Sequence, residues 1–219
     1  ATEGVRGEAK YTPRLLTEER HQGQLARKVA ELDILWPERS EWQLRIQAAF
    51  AVFRHVNSLV WAIYDGEEVA AAVWATSIQP GHSCKLHLAC LDGQLLDKAW
   101  AVDCCINSLF QLSEWSGSAD LVHVAAAIPA YAFPTALWAT RELEFGGDFE
   151  YHHRGRTIPV EGVRERCMPW KDELHDLILL GRRRSVEDSE AKRPAGPEAG
   201  DHEPIGTGSG SSSGGACTT

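Results

Sequence analysis

The side chains best suited to chemistry cluster between His82 and Cys90. His82, Cys84, His87 and Cys90 are the imidazole and thiolate types that bind zinc, and their close spacing invites a metal reading. A strand through this stretch sends Cys84, Leu86, Leu88 and Cys90 to one face and His87 to the other. Four ligands then fail to converge, so no metal is expected, and the residues read as core thiols and a surface imidazole. Cys105 lies mid-helix between Cys104 and Ile106, where a free cysteine behaves as a small buried hydrophobe rather than a nucleophile. His152-His153-Arg154-Gly155-Arg156 makes a basic hairpin tip. Arg154 and Arg156 would suit an acidic partner surface, and the plainer reading is a solvated turn. The eight tryptophans are spread along the chain from Trp36 to Trp170. Several must fill the core, and Trp36, Trp115 and Trp170, at expected element ends, are the candidates for interface anchors.

The elements that position these groups follow from the apolar spacing. Leu15, Leu16, Leu25, Val29, Leu32 and Leu35 predict a helix across Thr12 to Leu35, and Ser40 caps a second whose stripe of Trp42, Ile46, Ala49, Phe50 and Phe53 runs to Asn57. Leu59 to Tyr64 and Val69 to Thr76 are β-rich runs joined by Asp65-Gly66-Glu67-Glu68, a hairpin signal. A third strand is expected at Cys84 to Cys90. One long helix follows from Leu95 to Trp115, then a buried strand from Leu121 to Ile128, a helix from Tyr131 to Glu144, and two strands over Phe149 to Val163. The resulting fold class is α/β (α+β): a mixed, mostly antiparallel sheet with helices on both faces. Beyond Leu180 the composition turns to Arg, Glu, Pro, Gly and Ser, which predicts a domain over 1–180 and a flexible arm over 181–219.

With 219 residues, 43% of them hydrophobic, the chain can fill one core. Its net charge of −9 gives no reason to expect a nucleic acid as partner, and Arg182-Arg183-Arg184 is followed at once by acidic residues. Adjacent Cys104 and Cys105, with no secretory segment before them, predict reduced thiols in a cytoplasmic setting, and Ala1 reads as a start from which Met was removed. No apolar run approaches a membrane span.

The order of elements from Trp42 to Cys167 resembles the GNAT acyltransferase superfamily. Gly146-Gly147-Asp148-Phe149-Glu150-Tyr151 with Arg154-Gly155 looks like that family's glycine, bulky residue and strand after its last helix, and it also resembles the degenerate GNAT-like domains of podophage virion proteins. The resemblance implies a CoA pyrophosphate loop ahead of the long helix. Here that stretch is Leu91-Asp92-Gly93-Gln94-Leu95-Leu96-Asp97-Lys98-Ala99, in which Gly93 and Gln94 alone suit the role and Asp92 and Asp97 oppose it. It also implies a strand carboxylate as base and a helix tyrosine as acid. The third strand offers His87 instead, Glu142 stands four residues before Gly146, and Tyr131 lies roughly three turns from the acid's place.

Two functional expectations follow. The first is a non-catalytic virion component without a cofactor, assembled in the host cytoplasm. Its arm, through Gly206 and Gly210, would bind copies of itself or other virion proteins. The alternative, which the resemblance implies, is an acyl-CoA-dependent N-acetyltransferase taking acetyl-CoA at Gly93 and Gln94, with His87 or Glu142 moving protons and a cleft expected between the third and fourth strands.

Overall fold

The computed structural model describes residues 10–32 and 41–185. The elements are β1 (Tyr11–Leu15), α1 (Glu19–Ala30), α2 (Trp42–Phe53), β2 (Leu59–Asp65), β3 (Glu68–Gln79), β4 (Ser83–Cys90), α3 (Ala99–Phe110), α4 (Leu112–Ser116), β5 (His123–Pro129), α5 (Phe133–Glu142), β6 (Phe149–His153), β7 (Arg156–Val160), β8 (Gly162–Trp170) and β9 (Glu173–Arg183). Seven strands form one sheet in the order β1-β2-β3-β4-β5-β9-β8, and β6-β7 is a separate hairpin. All neighbours in the large sheet are antiparallel except β4 and β5, whose parallel pairing requires the crossover through α3 and α4.

Alternation along β3 places the two helical layers. Ala71, Val73 and Ala75 face the core shared with Ala101, Val102, Cys105, Ile106 and Leu109 of α3 and with Ala136 and Ala139 of α5. Ala72 and Trp74 face the other core, with Leu25, Ala26 and Val29 of α1 and Ala49 and Phe53 of α2. A strand covered on both faces reads as a continuous apolar run, as Val69 to Thr76 does. Small residues on it let both layers approach the backbone closely, and Trp74 meets Phe53 edge to face at 5.4 Å.

The helix expected across Thr12–Leu35 is instead β1 followed by α1. Tyr11–Leu15 pairs antiparallel with Leu15↔Trp61 through Tyr11↔Asp65 as an edge strand, the one place where Pro13 is tolerated in a sheet. Ser40 lies outside the described residues; Glu41 stands at the cap of α2, and that helix ends at Phe53 rather than Asn57. The long helix breaks at Gln111 (φ −117°, ψ 31°) into α3 and α4. Leu95 precedes a single 3-10 turn, Leu96–Lys98.

The C-terminal side needs the largest correction. The hairpin around Arg154 and Gly155 forms, but β8 and β9 close the main sheet, with β9 lying between β5 and β8. The folded body therefore extends past Leu180. Gly181, Arg182 and Arg183 pair with Ala125, Val124 and His123. Arg182 bonds Asp103, and Arg184 donates to Asp120 at 2.9 Å. The basic triplet thus contains two ion-paired arginines, and the chain divides after Arg184. Among the described residues no helix is long and apolar enough to cross a membrane.

Candidate active site

Strands β4 and β5 pair only over Ser83–Leu86 and His123–Ala126. Beyond that point each follows its outer neighbour: β4 stays on β3 as far as Cys90↔Ala71, and β5 stays on β9 as far as Pro129↔Leu177. A wedge opens between His87–Cys90 and Ala127–Pro129, and its two edges offer backbone N–H and C=O groups to an extended ligand. A cleft of about 1290 Å³ runs through the wedge from the α2 side of the sheet to the α5 side. Its walls are largely apolar, and no Asp or Glu is among the described residues lining it.

On the α2 side, β4 presents Lys85 and His87. His87 stacks on Trp74 (5.3 Å, 12° between planes), and its Nε2 lies 3.0 Å from Thr76 Oγ1. Although solvent reaches the ring through the cleft, desolvation by the surrounding walls, and then the Lys85 charge, pull its pKa down to about 4. His87 is therefore a neutral imidazole at neutral pH. Ser58 also lines this end, and its Oγ is buried with no hydrogen-bond partner among the described residues.

On the other side, Tyr131, Thr135 and Trp138 line the cleft. Tyr131 stacks on Trp170 at 5.1 Å and meets His175 edge-on at 5.3 Å, which fixes its ring just past the end of β5. Trp138 Nε1 is buried and without a partner among the described residues. Cys90 closes the β4 wall, its thiol held protonated by desolvation first and by Asp92 second.

The loop from β4 into α3 is folded around Lys98, a wholly buried residue. Its Nζ donates to Asp92 Oδ1 and Oδ2 at 2.7 and 2.8 Å and to the Gln94 carbonyl at 2.6 Å. Asp92 also accepts the Gln94 N–H at 2.9 Å. Burial works to raise the Asp92 pKa, but Lys98, Gln94 and Cys90 together hold it below the ordinary carboxylate range. Gly93, at φ +74°, has nothing within 4 Å of where a Cβ would stand, so its backbone can be approached closely.

The structure scatters the remaining candidates. Glu142 is exposed near the end of α5 and does not line the cleft. The left-handed step after α5 is Glu144 (φ 57°), followed by buried Phe145, rather than Gly146. Counting four residues back from there gives Thr140, whose hydroxyl donates to Ala136 O. Trp170 packs on Tyr131; Trp115 is 42% exposed with Nε1 donating to Ser108 O. Arg154 and Arg156 are exposed on the β6-β7 tip. Trp36, Gly206 and Gly210 lie outside the described residues. Cys84 is buried in the α3 core while His87 faces α2. Sequence reasoning passed over Ser58, Thr76 and Trp138, single polar residues that only the wedge brings together.

No protein-family model and no curated protein matches the sequence. Solved structures do resemble it. Spermidine N-acetyltransferase from Vibrio cholerae in complex with CoA and spermine superposes with a TM-score of 0.59 at 10% identity, over 80% of this chain and 96% of its own. The ribosomal L7/L12 α-N-protein acetyltransferase RimL in complex with CoA gives 0.56 at 11% identity, over 78% and 94%. The microcin C7 self-immunity acetyltransferase MccE in complex with acetyl-CoA and AMP gives 0.54 at 13% identity, over 78% and 92%. These similarities correct the expectation of a chain without a cofactor, because these proteins of similar fold are seen in complex with CoA or acetyl-CoA. None of these three structures is of a virion component. Strand order, wedge and superpositions together lead to one conclusion: this chain has a GNAT-like fold, that of the N-acetyltransferases.

Proposed function

We propose that the protein is an acyl-CoA-dependent N-acetyltransferase with a divergent phosphate loop. The observation that carries this reading is the apolar cleft passing through the sheet where β4 and β5 part. A passage of that kind lets a donor and an acceptor meet from opposite faces, which turns a two-body reaction into a positioned one.

The residues present suit the acyl-pantetheine arm of CoA. The open edges of His87–Cys90 and Ala127–Pro129 would take its amides, and the unpartnered Trp138 Nε1 is a buried donor in the same wall. The diphosphate end would approach the backbone at Gly93 and Gln94. Lys98 cannot neutralise it there, since that cation is already engaged by Asp92. This arrangement supports micromolar rather than tighter affinity. Bound there, acetyl-CoA supplies the acyl group: the acceptor nitrogen bonds to the acyl carbon, the C–S bond breaks, and the proton shed by nitrogen ends on the thiol.

His87 receives that proton at Nδ1, directly or through water, when Nε2–H donates to Thr76 Oγ1. With a pKa of about 4 it is a weak base that is always in its accepting form near neutrality. Tyr131 is the tyrosine lining the donor side and stands as the proton source for the departing sulfur; solvent then reprotonates Tyr131 and takes the proton from His87, so that the net change is one proton moved from nitrogen to thiol. The test is thiol release from acetyl-CoA by the full chain with a panel of primary amines, with products identified by mass. Amine-dependent release of one thiol per acetylated product supports the reading; no product with any amine, beside unchanged acetyl-CoA, counts against it.

A further inference from the structure

The acceptor end of the cleft has a chemical sign. Leu59 pairs with Ala75, so Ser58 comes next to Thr76, and Thr76 pairs with Lys85. Hydroxyl, hydroxyl and ammonium thus stand in one row, Ser58 one residue before β2 and Thr76 and Lys85 paired on β3 and β4, and residues in such a row share a face of the sheet. All three line the cleft. Ser58 Oγ is buried without a partner, and Lys85 makes no ion pair among the described residues. No carboxylate among the described residues lines the cleft to receive a second positive charge.

Resting on the transferase reading, we infer that the acceptor is an amine bearing an anionic group, a carboxylate or phosphate held by Ser58, Thr76 and Lys85, and not a polyamine. The row supplies charge-assisted hydrogen bonds to an anion. A polycation would bring its extra charges against Lys85 with no carboxylate among the described lining residues to offset them. The amine that must attack is then delivered beside His87, which shares the face of Lys85 on β4.

The experiment uses matched probes that differ only in the anion: phenylalanine against phenethylamine for a carboxylate, and phosphoethanolamine against ethanolamine for a phosphate, with spermidine as the polycation. Each is titrated calorimetrically into the full chain, with and without CoA. In at least one pair the anionic member binds roughly tenfold or more tighter, the size expected of a hydrogen bond to a charged group. Which pair shows it distinguishes carboxylate from phosphate. Lys85→Gln and Ser58→Ala each reduce that preference without lowering the melting temperature, since Lys85 is exposed and the Ser58 hydroxyl is unpaired among the described residues. Equal affinities in both pairs, no binding by any anionic member, or tighter binding of spermidine overturns the inference. If acetyl-CoA binds normally in those same samples, the transferase reading survives that outcome. If acetyl-CoA does not bind but the anion preference persists without CoA, the transferase reading falls and the anion site remains.

Discussion

Lys98 reaches both carboxylate oxygens of Asp92 from a wholly buried position, and its Nζ also sits 4.4 Å from the Tyr11 ring centroid. The pair ties the loop after β4 to β1, the edge strand, and uses internally the cation that would otherwise meet an anion at Gly93. A buried ammonium is tolerated only while its partner is charged. Asp92→Asn should therefore cost about 3 kcal/mol, and Lys98→Met, which removes charge and desolvation penalty together, should cost less. Urea midpoints of the two variants decide this; a larger loss for Lys98→Met would mean the ion pair is not what holds the loop.

The histidine of the cleft makes stability depend on pH in a stated direction. His87 titrates near about 6.5 when unfolded and near about 4 in the fold. Between those values the unfolded chain binds the extra proton, so stability rises with pH. The contribution is complete above the unfolded value and is lost as pH falls through the folded one. His87→Gln should flatten the dependence of urea midpoint on pH between pH 4 and 6.5; identical slopes in variant and wild type would contradict the desolvated site.

Ser58 carries a buried hydroxyl with no hydrogen-bond partner among the described residues. Removing an unpaired buried hydroxyl relieves its desolvation cost, so Ser58→Ala should be neutral or stabilising by up to about 1 kcal/mol. Its acceptor KM should rise while kcat changes little, since the group binds the acceptor and takes no part in proton transfer. A destabilised variant with unchanged KM would show that the hydroxyl is a structural element.

The end of the folded body can be located by truncation. A chain ending at Leu180 loses the ladder from Gly181 to Arg183 and both arginine–aspartate contacts, of Arg182 with Asp103 and of Arg184 with Asp120. It should be less stable than a chain ending at Ser185 by at least about 2 kcal/mol. Equal denaturation midpoints would place the boundary at Leu180 after all.

Legibility followed local pattern. The β2-β3 hairpin was readable because Gly66, at φ 60°, sits in the turn that its Asp-Gly dipeptide announces. The β4 strand and α5 were readable from period alone. The turn joining β8 to β9 was not. Lys171 and Asp172 both take positive φ, 49° and 64°, as a tight hairpin turn requires, but neither is the glycine or asparagine that would signal it. Charged Arg164, Glu165 and Arg166 on the edge strand hid β8 as well, and in β1 the leucines continued a helical spacing whose tertiary partner was a strand.

The candidate site was legible in part. His87 was singled out because it stands on the strand where the resemblance places a base, and Gly93 because it is the one glycine in the loop matched to the phosphate motif; of the two, His87 lines the cleft. The cleft between the third and fourth expected strands came from the family resemblance rather than from any residue pattern, and its cause was not readable: β4 and β5 are each held by a different neighbour, and β9 was the neighbour not foreseen. Glu142 was chosen by counting from Gly146, but Glu144 makes the left-handed turn in its place.

The central claim is that the wedge between β4 and β5 holds acetyl-CoA. Calorimetric titration of acetyl-CoA into the full chain, repeated with Ala127→Trp, tests it most directly. Ala127 is exposed on the wedge wall, so a bulky side chain there fills the cleft without entering the core. The account predicts micromolar binding by the wild type and at least a roughly tenfold loss in the variant at an unchanged melting temperature. No heat with the wild type, or equal binding by both, would contradict it.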